Sequence, residues 1–291
     1  MDISNLPLII FLVLLNIIFI LNYKYLAQII NIYDNPSEER KIHKTPVPIL
    51  GGIFLFLNFI FFVIYGFFFD VNLLFDIFIH SEIKGLIYFL IILSLIFLIG
   101  LYDDKYKIRP LVRLISLSIL IYFMIKLDQR LLINSIDFSF SDLIINFNIG
   151  IIFLSYFSII ALLIACNMSD GINLQSAIFY LLNFCTLYFI NPNTFILMII
   201  FVLIIFSFLN STGKIFLGDS GVYFLSIVLS FYSIKYYNFN HDLKADHIFL
   251  FLFFPVLDAS RCFVSRLIVG KSIFLADNNH FHHILLKNIN Y

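Results

Sequence analysis

Long, continuous apolar runs are the feature that most constrains how this chain can fold. A helix that crosses the hydrocarbon core of a bilayer needs roughly 20 apolar residues. About nine stretches fit, at about residues 7–30, 47–69, 84–101, 110–127, 149–166, 171–190, 193–209, 218–236 and 246–269. Because polarity does not alternate along these runs, they favour helices and argue against a β-barrel.

The composition supports the same class of fold. The 291 residues are 62% hydrophobic and only 12% charged, and a soluble domain of this length could not bury so much apolar surface. We therefore predict an all-α polytopic membrane protein with a single integral-membrane domain over residues 1–291. The first apolar run lacks a basic leader and a small-residue cleavage site, so we expect it to be a retained helix.

The basic residues predict the orientation of the chain in the membrane. Most of the 18 Lys and Arg residues fall in or beside the loops that follow the odd-numbered runs. Cytoplasmic loops carry an excess of Lys and Arg. We therefore expect a multi-pass protein of the inner (plasma) membrane, with the N-terminus outside and these loops in the cytoplasm.

The predicted cytoplasmic loops hold most of the chemically active side chains. The first contains DNPSEERKIHKTPVPILGG, the second LYDDKYKIR, the third NMSDG and the fourth STGKIFLGDSG, and the tail contains GKSIFLADNNHFHHIL. The longest loop on the other side, 128–148, contains INSIDFSFSD, whose alternation could form a hairpin.

Acidic side chains from three separate loops, beside basic ones, suit a magnesium-assisted phosphate site. Mg²⁺ prefers oxygen ligands and is held by one or two carboxylates together with substrate phosphates. Lys and Arg side chains would neutralise further phosphate charge. Asp103 and Asp104 leave a helix end in different directions, so we expect only one of them to bind metal directly.

Each motif taken alone has a simpler interpretation. An aspartate pair at a helix boundary is often a solvated cap, and NMSDG and GDSG are each typical of a turn. The HFHH segment could bind zinc, although it has no Cys partner. Asp258 and Arg261 could simply pair at helical spacing. The clustering of these motifs on one predicted face favours a functional site.

Taken in order, the motifs resemble those of a known family. Asp34, RKIH and PILGG, then LYDDKYKIR, NMSDG, FLGDSG and the tail D-x-x-R…HFHH resemble the polyprenyl-phosphate N-acetylhexosamine-1-phosphate transferases. The resemblance covers about residues 31–291. It implies transfer of a sugar-1-phosphate from a UDP-N-acetylhexosamine to a polyprenyl phosphate such as undecaprenyl phosphate, with release of UMP and a requirement for Mg²⁺ or, as an alternative, Mn²⁺.

The resemblance also implies roles for residues at matching positions. Asp103 and Asp104 match the aspartate pair that engages the lipid phosphate and the metal, and Asp219 matches a metal ligand. Catalytic roles are carried over to Asp103, Asp104, Asp170 and His282. Substrate-binding roles are carried over to Lys41, His43, Asn167, Lys214, His280 and His283.

The spacing H-x-H-H resembles the His motif of one branch of the family. That branch transfers N-acetylglucosamine or related sugars for O-antigen, teichoic acid or capsule. The phospho-N-acetylmuramoyl-pentapeptide branch, which has a contiguous His motif, stays open as an alternative, as do a transporter and a non-catalytic scaffold. The family usually continues beyond its His motif, so we expect a shortened member. Dimers occur in the family, which leaves a homodimer open, and nothing indicates a nucleic-acid partner.

Overall fold

The chain folds almost entirely into helices. The computed structural model describes residues 6–36, 45–77, 83–240, 243–270 and 281. Within them lie the α-helices α1 (Leu6–Ile30), α2 (Gly51–Phe69), α3 (Val71–Ile77), α4 (Ile83–Tyr106), α5 (Pro110–Leu127), α6 (Ile151–Ser169), α7 (Gln175–Ile190), α8 (Thr194–Ser211), α9 (Gly218–Phe239) and α10 (Ala245–Ile268). Two short antiparallel pairs join β1 (Tyr33–Asp34) to β2 (Val47–Pro48), and β3 (Ser135–Phe138) to β4 (Ser141–Asn146).

Each of the nine predicted spans coincides with a helix, which confirms a polytopic helical membrane protein. Among the described residues, seven helices are long and apolar enough to cross a membrane, namely α1, α2, α4, α5, α6, α8 and α10. Helix α7 is shorter, and α9, which carries Asp219 and Lys235, is not among the seven. The short helix α3 was not predicted.

The chain packs as two compact units. The first comprises the described residues up to Lys107 together with Ala177–Phe224, and the second comprises Ile108–Ser176 and the described residues from Leu225 onward. The single domain expected over residues 1–291 stays a prediction.

In the first unit, α2 packs against α1, α3, α4 and α8. Its apolar face includes Phe56, whose ring stacks on Phe97 of α4 at a centroid distance of 3.9 Å. Between α1 and α2, the buried amides of Asn16 and Asn58 donate to each other at 2.9 and 3.3 Å. Small polar pairs of this kind join helices inside a membrane, where apolar side chains gain little by leaving lipid.

The start of α2 is held by main-chain hydrogen bonds to the segment that precedes α9. Gly51 N donates to Phe216 O at 2.8 Å, and Gly52 N donates to Leu217 O at 2.9 Å. Phe216 N donates in turn to Pro48 O at 3.0 Å. The first N–H groups of a helix have no partner inside the helix. The PILGG and IFLGDSG motifs are therefore joined by hydrogen bonds between their backbones, and these bonds give partners to the first N–H groups of α2.

Helices α4 and α9 approach each other so closely that a glycine is needed between them. A Cβ atom added to Gly100 would lie 2.5 Å from Ser220 Cα, which is main chain and cannot move aside cheaply. Gly218, the first residue of α9, has φ +77°, and a Cβ there would lie 2.8 Å from the carboxylate of Asp104. The two glycines thus let the end of α4 reach the first turn of α9.

The second unit packs α6 against α5 and α10 and carries the β3–β4 hairpin. The hairpin predicted from INSIDFSFSD is confirmed: Ser135 pairs with Asn146 and Ile136 with Ile145, and the register shifts between Asp137 and Phe138. Strand β3 also contacts α10.

Candidate active site

The carboxylate of Asp104 receives the first N–H groups of α9. Asp104 Oδ1 accepts from Asp219 N at 2.7 Å, and Asp104 Oδ2 accepts from Ser220 N at 3.1 Å and from Ser220 Oγ at 2.6 Å. These amides belong to the first turn of α9, where intrahelical partners are absent and the helix dipole favours a negative charge. Asp104 therefore acts as a cap supplied by another helix, 115 residues away along the chain.

Asp103 lies beside Asp104 in sequence but contacts a different part of α9. Its carboxyl group is buried, with the residue only 4% exposed, and Asp103 Oδ2 accepts from the Tyr223 hydroxyl at 3.3 Å. Successive residues on a helix differ in direction by about 100°. The two neighbouring carboxylates consequently contact α9 one turn apart, at Ser220 and at Tyr223.

Asp219, the third predicted carboxylate, contacts Asp104 through its backbone. Its N–H donates to Asp104, and its side chain is half-buried in the first turn of α9. Lys214, in contrast, is exposed in the loop before α9, where its N–H donates to Leu209 O at 3.0 Å. The first unit thus brings Asp103, Asp104 and Asp219 together, with Lys214 in the loop that leads to them.

The three aspartates supply oxygen ligands, which is the donor type that Mg²⁺ takes. No group of three or more His, Cys, Asp or Glu side chains within the described ranges has the arrangement of a complete metal cage. Mg²⁺ does not require such a cage, because one or two carboxylates with substrate phosphates and water suffice. Asp104 Oδ1 accepts one hydrogen bond from α9 and retains a lone pair, whereas Oδ2 already accepts two. The donor set therefore fits Mg²⁺.

Asn167 and Asp170 belong to the second unit, at the end of α6. Both are half-buried, and Asp170 is the first residue after the helix. Desolvation by burial raises the pKa of the Asp170 carboxyl from 3.8 to about 6, and the Ser176 hydroxyl opposes that rise. A carboxyl group with a pKa near neutrality can exchange protons under working conditions, which suits a catalytic group.

Five predicted site residues lie outside the described residues: Lys41, His43, His280, His282 and His283. Phe281, within the H-x-H-H motif, is described. Its N–H donates to Asp258 Oδ1 of α10 at 3.0 Å, and its ring meets the Phe254 ring edge-on at 5.9 Å. Asp258 also pairs with Arg261 at 2.9 Å, as the helical spacing suggested. The buried Asp258 carboxylate thus holds the backbone at Phe281 against α10.

Comparison with known proteins assigns the chain to a family. The sequence pattern of "Glycosyl transferase family 4" matches residues 86–237, just over half of the chain. The chain belongs to glycosyl transferase family 4. The matched region includes Asp103, Asp104, Asn167, Asp170 and Asp219.

The chain is also similar to a curated relative over part of its length. The two are 39% identical over 77 residues, and the relative is the undecaprenyl-phosphate alpha-N-acetylglucosaminyl 1-phosphate transferase of Thermotoga maritima. The match spans 26% of this chain and 25% of the relative. The chain therefore spans about a quarter of the length of the curated relative that it matches.

The sequence did not predict that Ser220 and Tyr223 contact the aspartate pair, Asp103 and Asp104, in this member of glycosyl transferase family 4. Ser220 lies inside the FLGDSG motif, where it was interpreted as part of a turn, and Tyr223 lies inside an apolar run. No local pattern marks either residue, because their role depends on α4 approaching α9.

One cavity in the second unit does not involve the predicted site. It encloses about 180 Å³ and is lined mainly by apolar residues, including Ile136, Leu154 and Leu252, with Ser158 and Tyr237 among its polar groups. None of the predicted catalytic, metal or substrate residues lines it. We therefore assign it no part in catalysis.

The cap on α9 can be tested by changing its acceptor. Asp104→Asn should lower the unfolding free energy by about 1–3 kcal/mol, because an amide NH₂ then faces backbone donors. Ser220→Ala, which removes only the hydroxyl donor, should cost about 1 kcal/mol. The measurement is thermal and denaturant unfolding of the detergent-solubilised protein.

Asp103→Asn provides the matched control for that experiment. Its amide oxygen can still accept from the Tyr223 hydroxyl, so this variant should be less destabilised than Asp104→Asn. Equal stability of Asp104→Asn and the unchanged protein would show that the cap contributes nothing.

The contact between Asp258 and the His motif can be tested without an activity assay. Asp258→Ala removes the acceptor of the Phe281 N–H, so this amide should exchange its hydrogen faster, by about tenfold for a hydrogen bond of about 1.4 kcal/mol. Asp258→Asn keeps an acceptor oxygen and should restore much of the protection. The measurement is hydrogen exchange read by mass spectrometry on the peptide that contains Phe281.

Arg261→Ala is the control for the ion pair. The Arg261 side chain is 44% exposed, and exposed pairs contribute little, so its loss should leave the Phe281 amide protected. If the Phe281 amide exchanges in all three variants at the rate measured for the unchanged protein, Asp258 does not hold the backbone at Phe281.

Proposed function

We propose that this protein transfers N-acetylhexosamine-1-phosphate from a UDP-sugar to a polyprenyl phosphate in the membrane and releases UMP. The observation that carries the proposal is the set of Asp103, Asp104 and Asp219 at the meeting of α4 and α9, in a membrane protein of glycosyl transferase family 4. A membrane-held phosphate and a soluble nucleotide can meet only at the rim of the bilayer, and both Asp104 and Asp219 lie at a helix end.

In the proposed reaction, an oxygen of the polyprenyl phosphate attacks the phosphorus attached to the sugar. A P–O bond forms to that oxygen, the pyrophosphate P–O bond of the UDP-sugar breaks, and the bonding electrons leave with UMP. The acceptor is a phosphate monoester with a second pKa of about 6, so it is largely dianionic at neutral pH. Alignment and charge neutralisation should therefore contribute more than proton removal. A two-step route through an aspartyl-phosphate is the alternative.

The residues of the first unit would position the reacting groups. Asp219 and Asp104 would hold Mg²⁺, with Mn²⁺ as an alternative, and the bound ion would neutralise charge on the transferred phosphoryl group. Asp104 would at the same time fix the first turn of α9 and so the direction of the Asp219 side chain. Asp103, buried beside Tyr223, would orient the acceptor phosphate. Lys214 would attract substrate phosphate from its exposed loop.

The remaining predicted site residues would take the roles implied by their motifs. Asn167 would bind the nucleotide, and Asp170 would serve as a catalytic carboxylate. Lys41, His43, His280 and His283 would bind substrate, with His282 in the reaction itself. We propose that Asp258 contributes by fixing the backbone at Phe281, beside these histidines.

N-acetylglucosamine-1-phosphate is the favoured donor group. The curated relative carries N-acetylglucosaminyl in its name, and the H-x-H-H spacing agrees with the same branch. The proposed place of action is the cytoplasmic face of the plasma membrane, with undecaprenyl phosphate as acceptor, at the start of lipid-linked synthesis of a cell-surface glycan such as O-antigen. A homodimer is compatible with this proposal.

The direct test is UMP release by purified protein given undecaprenyl phosphate, Mg²⁺ and one donor at a time: UDP-GlcNAc, UDP-GalNAc or UDP-MurNAc-pentapeptide. We expect release with UDP-GlcNAc, its loss on adding EDTA, and its return with excess Mg²⁺. Asp219→Asn should abolish release. Release with the pentapeptide donor alone would support the alternative branch. No release with any donor from folded protein would favour a non-catalytic scaffold.

The proposed role of Asp170 predicts a specific pH dependence. If the charged carboxylate is the active form, turnover should fall as the pH drops below about 6, where Asp170 takes up a proton. Ser176→Ala removes a group that opposes the rise in the pKa, so the acidic limb of the rate profile should move to higher pH. The measurement is initial rate against pH at saturating donor.

The acceptor phosphate titrates in the same range, with a pKa of about 6, and Ser176→Ala separates the two groups. A limb caused by the acceptor phosphate would not move when Ser176 is changed. An unchanged limb in Ser176→Ala would favour the acceptor phosphate as its source.

A further inference from the structure

The outer strand of the β3–β4 hairpin exposes an apolar surface that no described part of the chain covers. All six residues of β4 are exposed. The large apolar side chains among them and at the turn are 76% (Phe140), 60% (Leu143), 56% (Ile144) and 40% (Ile145) exposed. In water, an exposed apolar edge strand would invite aggregation. This surface therefore requires a cover.

The hairpin is attached through its other strand, so β4 lies on the free side. Tyr237 Oη donates to Asp137 Oδ1 at 2.7 Å, and Lys244 Nζ donates to Asp137 Oδ2 at 2.7 Å. Ser139 N donates to Asp246 Oδ1 at 2.8 Å. These contacts fix β3 and the turn to α9 and α10, while β4 pairs with β3. The exposed strand is thus held in a defined position.

The two helices that flank the hairpin in the chain expose large apolar side chains as well. The hairpin follows α5, whose last turns expose Phe123 (51%) and Leu127 (44%), and precedes α6, which exposes Phe153 (70%). Between β4 and α6, Ile149 is 92% exposed. The segments on both sides of the hairpin, which include two helices long enough to cross a membrane, therefore also expose large apolar side chains.

The backbone of β4 determines how deep such a hairpin could lie. Within the described residues it belongs to a two-stranded sheet, so one edge of β4 has no strand beside it. Unpaired sheet edges do not occur within the hydrocarbon core, because their N–H and C=O groups need hydrogen bonds. The headgroup region offers those bonds and still receives apolar side chains, to a depth of about 5–10 Å.

We propose that the β3–β4 hairpin is a membrane-interface element that inserts with the free edge of β4 leading. Phe140, together with Leu143 and Ile144 from opposite faces of the strand, would then lie among the headgroups and the first acyl carbons of the bilayer. The only charged residue in β4 is Asp142, so attraction to anionic lipids does not drive the insertion. A zwitterionic bilayer should therefore suffice. This proposal is independent of the proposed enzymatic function.

The absence of Trp from the chain permits a direct test. Leu143→Trp places a single fluorophore on β4 at an exposed position, where a larger side chain disturbs no core. The full chain, reconstituted in phosphatidylcholine vesicles, should emit at shorter wavelength than exposed Trp. Bromine atoms near the headgroup end of the acyl chains should quench the emission more than bromine atoms near the chain ends.

Two further single-Trp variants calibrate the result. Phe153→Trp on α6 should be quenched by brominated lipid, and Gln129→Trp, an exposed polar position in the same loop, should instead be quenched by aqueous iodide. Ile144→Trp repeats the test at a second β4 position if Leu143→Trp fails to fold.

Two outcomes would overturn the proposal. If Leu143→Trp and Ile144→Trp behave like Gln129→Trp, the strand faces water. If they emit at short wavelength but brominated lipid does not quench them, a second copy of the chain covers β4. Salt should not change the quenching by lipid, and a strong salt dependence would point to electrostatic attachment instead.

Discussion

The contact on which the candidate site depends is the capping of α9 by the carboxylate of Asp104. The first N–H groups of a helix have no partners inside the helix, and leaving them buried and unpaired costs free energy. Here a carboxylate from α4 accepts two of these N–H groups and one hydroxyl. Because the acceptor is ionisable and the donors lie at the positive end of a helix dipole, charge and hydrogen bonding reinforce each other.

The same contact explains why two like charges can stand next to each other at the end of α4. Asp104 is compensated by the first turn of α9, and Asp103 turns toward Tyr223, one turn further along that helix. Ser220 and Tyr223 share a face of α9, being three residues apart. A tight approach is needed for this pairing, and Gly100 provides it where a Cβ would collide with Ser220. The aspartate pair and the glycines are therefore parts of one arrangement.

Much of this architecture follows from the sequence, and the remainder depends on contacts between distant residues. Apolar run length predicted a helix at each of the nine expected spans, and alternation in INSIDFSFSD predicted the hairpin. The cap by Asp104 was not predicted, because its donors lie 115 residues away and no local pattern joins them. The bond from Phe281 to Asp258 likewise crosses 23 residues, and helical spacing indicated only the weaker pair with Arg261.

Helix α9 shows why composition alone gives an incomplete account of a membrane helix. It was predicted as a span, yet it is less uniformly apolar than the seven that qualify by length and hydropathy, and it carries Lys235 and several serines. Its residues 220–236 are all buried, so their side chains need not be apolar enough to contact lipid. Lys235, with no exposed surface, pairs with Asp128 at 2.8 Å and lies 4.2 Å from the centre of the Phe231 ring.

An unpaired charge at the Lys235 position would be costly, so the pair fixes this part of α9 to the residue that ends α5. Carboxylates therefore compensate α9 near both its ends, Asp104 at the first turn and Asp128 close to the last. The cap by Asp104 fixes the first turn of α9, which carries Asp219, and the pair with Asp128 holds the part of α9 that belongs to the second unit.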